Sequence, residues 1–214
     1  MSANVWDDRA DAYRESEAHR HGADLDLLVE WAAGARTALD VGSGGGHVAR
    51  RLREAGLEVV TLDPAPGMRA DVRAFAEDIP FADASFDLVA CRAAVHHFAD
   101  VEAGVREMAR VAADRVIVVD NLFMGAAAEE AEVLRDPTHV RNYTEAEWQS
   151  LLEGAGLRVA EARTLVHPID VAAWLDRTGC TGQDAERVRE LLADRIDGDV
   201  VRLERIALRA LKEH

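Results

Sequence analysis

A chain of 214 residues, about half of them apolar and with charges of both signs spread along it, is the size of one globular domain and is not a disordered segment. Its net charge of −15 speaks against a nucleic-acid or anionic-membrane partner, because phosphate is held mainly by Lys and Arg. Two cysteines, Cys91 and Cys180, make neither a disulfide framework nor a paired metal-ligand spacing, and no metal site is expected. The polar N-terminus carries no apolar signal region and no run of residues reaches the length of a membrane span, so the cytoplasm is the expected compartment.

Residues 4–35 read as helix, with Val5, Trp6, Tyr13, Leu25, Leu27, Leu28 and Trp31 as apolar positions and a break near His21-Gly22. "TALDVG" is a short apolar run ending in glycine. "HVARRLREAG" follows it with Val48 and Leu52 on one helical face and Gly56 as a stop. "LEVVTLD", "DLVACRAAV" and "RVIVVDN" have the length and β-branched content of buried strands. Between the last two, "DVEAGVREMARVA" carries the helical period through Val101, Val105, Met108 and Val111. Apolar strands alternating with amphipathic helices predict a layered α/β domain around parallel strands.

Beyond Gly125 the pattern loosens. "EEAEVLRD" and "TEAEWQSLLEGAG" read as helices, the second opened by a capping box of Thr144 and Glu147. After "LRVAEARTLV" comes the helical "DAERVRELLADR", and "VRLERIALRAL" suits strand or helix.

The densest signal is "LDVGSGGGH", Leu39 to His47. Glycines after a strand and before a helix mark a place where backbone turns sharply or approaches a ligand. A phosphate-binding P-loop would need Lys-Ser/Thr after the glycines, and none follows. The dinucleotide fingerprint fits Gly42 and Gly44, but its third glycine falls on His47. Asp63, about 20 residues on, suits a ribose diol in a dinucleotide or in a nucleoside without phosphate.

The succession "LDVGSGGG", "VVTLDPAPGM", "AEDIPFADASFDLV", "VHHF" and "REMARV" resembles the class I S-adenosylmethionine-dependent methyltransferases. It is most similar to the type 11 branch, that of the ubiquinone and menaquinone biosynthesis enzymes. The resemblance covers residues 36–120 and extends more loosely to about residue 160. It implies a Rossmann-like, doubly wound, mostly parallel sheet of seven strands in the order 3-2-1-4-5-7-6, the last strand antiparallel. Residues 1–35 would form an N-terminal helical lid on a methyltransferase domain spanning 36–214. The expected chemistry is in-line methyl transfer from S-adenosylmethionine to a small-molecule acceptor, leaving S-adenosylhomocysteine, by a monomer or homodimer.

The resemblance also implies site residues. Asp63 would take the ribose hydroxyls, with Pro64 beside it, and Met68 would lie on the adenine. Asp78 would accept from the adenine amino group and Ile79 would offer its backbone N–H. Asp40, Gly42, Ser43 and Gly44 would surround the methionine end, with Arg92 near its amino group. Each has a plainer alternative: Asp78 could cap a turn before Pro80 and Met68 could be core, while Asp87 is read as a strand start outside the site.

One departure is evident. About eight residues separate "TLD" from "VRAFAED", fewer than a helical crossover needs, so this helix is expected to shrink to a turn and Arg69 or Phe75 to flank the adenine instead. Candidate proton acceptors are His96, His97 and His19, with Asp120, Asn121, His139 and Tyr143 also near the expected site. Two other readings stand beside this one: a nicotinamide-dependent oxidoreductase, disfavoured by His47, and a non-catalytic S-adenosylmethionine-binding protein.

Overall fold

Every apolar run ending at a candidate site residue forms a strand of one sheet. The computed structural model describes residues 6, 7, 10, 14 and 20–213. Its strands are β1 (Thr37–Val41), β2 (Glu58–Leu62), β3 (Phe86–Arg92), β4 (Ala112–Asn121), β5 (Leu157–Asp170), β6 (Ile196–Asp197) and β7 (Val200–Lys212). They pair in the order β2-β1-β3-β4-β7-β5, with β6 turning back on β7. The first four strands are parallel, and β7 runs antiparallel between β4 and β5. The α/β class, the doubly wound sheet and the antiparallel last strand match expectation.

Helices α1 (Ala23–Trp31) and α2 (His47–Glu54) cover one face. Leu25, Leu28, Trp31, Val48 and Leu52 pack there on Ala38, Leu88 and Ile117. Helices α3 (Val101–Val111) and α5 (Glu145–Gly154) cover the other, where Val105, Met108, Trp148 and Leu152 meet Leu39, Val89 and Val116. Each fully buried leucine or isoleucine in these layers contributes on the order of 2 kcal/mol. Helices α4 (Ala126–Arg135), α6 (Val171–Asp176) and α7 (Gly182–Leu191) build a third core with the ends of β5 and β7, around Trp174, Leu175 and Leu203.

The expected strand order is corrected in detail. Where the pattern calls for a third strand at the edge, a single bridge joins Leu62 to Val72. The short connection allows only one turn, Pro66–Met68, and side chains replace the ladder: Asp71 Oδ2 accepts from the Thr61 N–H at 3.0 Å and its hydroxyl at 2.8 Å. That clamp also blunts the open edge of β2. The count of seven is restored at the far side by the two-residue β6.

Two other expectations resolve. "VRLERIALRAL" is strand, and it pairs along the full length of β5 from Leu157↔Lys212 to Asp170↔Val200. Within the expected lid, the break at Gly22 is present, but α1 beyond it is a core helix: Leu25 and Leu28 are fully buried because they pack on the sheet face itself.

Candidate functional site

A cleft with a cavity volume of roughly 150 Å³ opens at the carboxyl ends of β1, β2 and β3. Strand order reverses between β1 and β3, which is where open α/β sheets bind ligands. Asp40, Gly42, Ser43 and Gly44 form one wall, and Asp63, Pro64 and Met68 a second. Arg92 and His97 close the far side.

The glycine turn is built for this approach. Gly42 has φ +64°, and a Cβ there would come 2.5 Å from that of Ala94. Gly44 has φ +48° and its surroundings are open, with only the Gly42 carbonyl within 4.0 Å of a would-be Cβ. Side chains at either position would strain the turn or fill the cleft.

Asp40, 1% exposed, accepts from the Ala49 N–H at 3.0 Å and so caps α2 from the strand before it. Burial, reinforced by the nearby Asp63 charge, pushes its carboxyl up to about 7. Asp63 is held by both oxygens: Oδ2 accepts from the Gly44 N–H and Oδ1 from the Ala65 N–H, each at 2.9 Å. Each oxygen retains a lone pair, so the group is pre-aimed for a vicinal diol. Burial raises this carboxyl too, against the two N–H donors.

Two expected residues miss the cleft. Asp78 is exposed and does not line it, and the Ile79 N–H is already donated to Glu107 Oε2 at 3.1 Å. The truncated crossover shifts the wall back: Phe75, Ala76 and Glu77 line the cleft instead. Glu77 accepts from the Ala99 N–H at 2.9 Å and the Asp100 N–H at 3.2 Å. Met68 does line the cleft, packed with Ala65, Ala10 and Trp6. Asp87 sits at the opposite end of β3, taking the Arg36 and Thr37 N–H groups, outside the site as expected.

Arg92 donates through Nε and Nη2 to the two oxygens of Asp24, at 2.8 and 3.1 Å, and Arg205 reaches the same carboxylate at 2.6 Å. Burial alone would raise Asp24, but the two guanidinium groups hold it well below the carboxylate range. α1 thus anchors Arg92 against the cleft, a contact that the spacing of 68 residues between the partners hides from sequence reading.

The histidine pair divides. His97 faces the cleft; His96 lies behind it, its ring 4.0 Å from that of His97. His96 Nδ1 meets Asp120 Oδ1 at 2.5 Å. Burial opposes its charge, but Asp120 prevails and raises it. For His97, burial and the neighbouring His96 act together to keep the ring neutral. Its Nδ1 lies 3.0 Å from the Thr138 carbonyl, which only accepts, so the proton sits on Nδ1 and Nε2 is the basic nitrogen. His19 lies outside the described residues. His139 is buried and pairs with Glu129 at 2.9 Å, away from the cleft lining.

Residues of the N-terminal segment close one side. Trp6 packs edge-on to His97 at 4.7 Å. Asp7 Oδ1 accepts from the Gly67 N–H at 2.6 Å, and Arg14 donates to the Gly67 carbonyl. Trp6 carries no motif, and Glu77 stands in "AEDIPFADASFDLV" one position before the residue expected to face the cleft, so both placements emerge only from the fold. Among the described residues no group of three His, Cys, Asp or Glu side chains could hold a metal ion, and no helix is long and apolar enough to cross a membrane.

Comparison with known proteins agrees with this geometry. A methyltransferase-domain family model matches residues 39–119. The uncharacterized methyltransferase YcgJ of Bacillus subtilis is 31% identical over 202 residues, covering 83% of this chain and 79% of that protein. The crystal structure of the methyltransferase BH2331 of Bacillus halodurans is similar with a TM-score of 0.80 at 27% identity, over 90% of this chain and all of that one. The YcgJ crystal structure superposes with a TM-score of 0.78 at 26% identity, over 91% of this chain and 100% of that one.

The protein belongs to the class I S-adenosylmethionine-dependent methyltransferases, in their type 11 branch. It is a methyltransferase that uses S-adenosylmethionine, and the nicotinamide-dependent alternative falls away. The cleft suits this cofactor: a diol-aimed carboxylate, left-handed glycines and no lysine, in place of a phosphate cradle.

Proposed function

We propose that this chain methylates a small-molecule acceptor that enters beside His97, with Asp63 on the ribose of the cofactor and Asp40 and Gly42 to Gly44 around its methionine end. The observation that carries the reading is the meeting, in one cleft, of the diol-aimed Asp63 and the neutral imidazole of His97. When bound, S-adenosylmethionine supplies an electrophilic methyl group on its sulfonium. The chain itself contributes alignment, dryness and a proton acceptor.

Arg92, tied to Asp24, stands at the methionine end, suited to a carboxylate. Met68 and Phe75 flank the adenine side, and Glu77 takes the part expected of Asp78. His97 Nε2 accepts the acceptor's proton, while the Thr138 carbonyl fixes the ring and the Asp120–His96 pair sits behind it. The segment carrying Trp6, Asp7 and Arg14 acts as a lid on the domain beyond it, clasping Gly67 and pressing Trp6 onto His97. The net charge of −15 favours a small molecule over a nucleic acid, and two free thiols suit the reducing cytoplasm.

The test is release of S-adenosylhomocysteine across a panel of small amines, phenols, alcohols and carboxylates, with wild type and His97→Gln. His97→Gln should keep its affinity for S-adenosylhomocysteine while turnover drops by about 10²–10⁴. A variant with wild-type turnover removes His97 from the chemistry. A wild-type protein that binds the cofactor and turns over none of the panel favours the binding-protein alternative.

A further inference from the structure

His97 is held from behind by a turn that a single carboxylate organises. Asp136 ends α4 and is fully buried. Its Oδ1 accepts from the Thr138 N–H at 3.0 Å and from the Thr138 hydroxyl at 2.7 Å, and its carbonyl takes the His139 N–H at 2.9 Å. The chain just beyond is tied down as well. The Val140 N–H donates to the His96 carbonyl at 2.8 Å, and the Asn142 N–H to Glu129 Oε1 at 2.8 Å. Thr138 is thereby fixed with both of its oxygens near His97 Nδ1, the carbonyl at 3.0 Å and Oγ1 at 3.3 Å.

The directions of the hydrogens follow. Burial alone would raise the Asp136 carboxyl, but the Thr138 hydroxyl, His97, the Thr138 N–H and Arg135 hold it below its ordinary value, so it is ionised and only accepts. The Thr138 hydroxyl has one hydrogen, and that hydrogen lies on Asp136. Its oxygen keeps lone pairs for His97 and has no proton to offer there. A Thr138 hydroxyl turned the other way would donate to Nδ1, which moves the imidazole hydrogen to Nε2 and takes away the basic nitrogen. Asp136 closes off that alternative. The turn by itself does not call for a carboxylate: Asn or Ser forms the same turn without a charge, and a buried charge is costly unless it is bonded. Of the other charged groups nearby, His96 is paired with Asp120, Arg135 with Glu132 and Arg141 with Glu147.

Resting on the reading of His97 as proton acceptor, we infer that Asp136 is the positioning residue of that base: by holding the Thr138 hydroxyl it fixes the imidazole with its hydrogen on Nδ1 and with Nε2 bare. Asp136 does not line the cleft, so it acts through Thr138 and not on either ligand. When Nε2 takes a proton, the chain of hydrogen bonds from Nδ1 ends on a negative charge, as an imidazolium needs.

The test is nitrogen-15 nuclear magnetic resonance of the full chain at neutral pH, saturated with S-adenosylhomocysteine, which reads the two ring nitrogens of His97 separately. Wild type should carry its hydrogen on Nδ1. In Asp136→Ala the freed hydroxyl should turn its hydrogen onto Nδ1 and bring the Nε2–H tautomer to roughly half the population, with S-adenosylhomocysteine still bound. Adding Thr138→Val removes that donor, so the double variant should return to the Nδ1–H tautomer, which a merely structural loss would not do. Should Asp136→Ala fail to fold, as a thermal melt would report, Thr138→Val against Thr138→Ser carries the comparison. Both keep the carbonyl but only serine keeps the link to Asp136, so Nδ1–H in the valine variant should exchange with solvent at least about tenfold faster. A wild-type hydrogen on Nε2, an unmoved tautomer in Asp136→Ala, a double variant that does not return, or equal exchange in the two Thr138 variants overturns the inference. Wild-type turnover by His97→Gln would instead strike the reading of His97 as the base and leave the tautomer result standing.

Discussion

Replacing Asp40 by asparagine separates the cost of a buried carboxylate from its use. The amide that Asp40→Asn introduces keeps an oxygen for the Ala49 N–H, so the cap on α2 survives, but it cannot ionise. In wild type the carboxyl moves from an ordinary value of 3.8 to about 7 on folding. Below 3.8 both states are protonated and the shift costs nothing. Between 3.8 and about 7 the unfolded chain ionises first, so the folded state loses ground as pH rises, and above about 7 the loss is constant. At about 1.4 kcal/mol per pH unit over that interval, the ceiling is roughly 4 kcal/mol.

Asp40→Asn should therefore match wild type near pH 4 and exceed it by about 2–4 kcal/mol at pH 8, in urea unfolding without ligand. A stability difference that is the same at both pH values would refute the reasoning. The use shows in the opposite direction: at pH 8 the variant should bind S-adenosylhomocysteine about tenfold more weakly, having lost a charge beside the ligand's ammonium.

Asp63→Asn replaces one accepting oxygen by a donor in a carboxylate that already takes two N–H groups, so the Kd for S-adenosylhomocysteine should rise at least about 100-fold by calorimetry; an unchanged Kd would remove Asp63 from the ribose. Gly42→Ala combines φ +64° with a 2.5 Å approach to Ala94, and should cost about 2–3 kcal/mol in denaturant unfolding together with most cofactor affinity. Asp120→Asn takes away the group that raises His96. That stabilisation is complete below the ordinary histidine value and is lost as pH rises through the raised one, so the variant's deficit against wild type should be larger at pH 6 than at pH 9. Nuclear magnetic resonance titration of His96 in that variant should show its pKa falling; an unmoved value would mean Asp120 does not set it.

The cofactor half of the site was legible because its chemistry is local. β1, the glycine turn and the first turn of α2 are contiguous, and left-handed φ at Gly42 and Gly44 is a demand that a sequence displays directly. Asp63 closes the next strand, so the alternation of strand and helix places it without further information. Reading failed one element later. With the crossover cut to a single turn, nothing local fixes which residues of 75–79 face inward, and the side chains bend so that Glu77 lines the cleft while Asp78 meets solvent. The lid reading failed likewise at α1, because the apolar stripe of Leu25, Leu28 and Trp31 fits a lid and a core helix equally; the buried Asp24–Arg92–Arg205 cluster decides for the core.

The groups around His97 are a product of tertiary assembly. His97 comes from the end of β3, Asp120 from the end of β4, Thr138 from a loop after α4, and Trp6 from the N-terminal segment. No two of these elements are neighbours in sequence, so their meeting beside the glycine turn shows only in the fold. A change at His97 leaves the glycine turn and Asp63 in place, whereas a change at Gly42 or Asp63 falls on the turn and the carboxylate that face the cofactor side of the cleft. The two sides of the cleft are therefore separable by experiment: His97→Gln should lower turnover and leave S-adenosylhomocysteine affinity intact, whereas Asp63→Asn should raise the Kd for S-adenosylhomocysteine first.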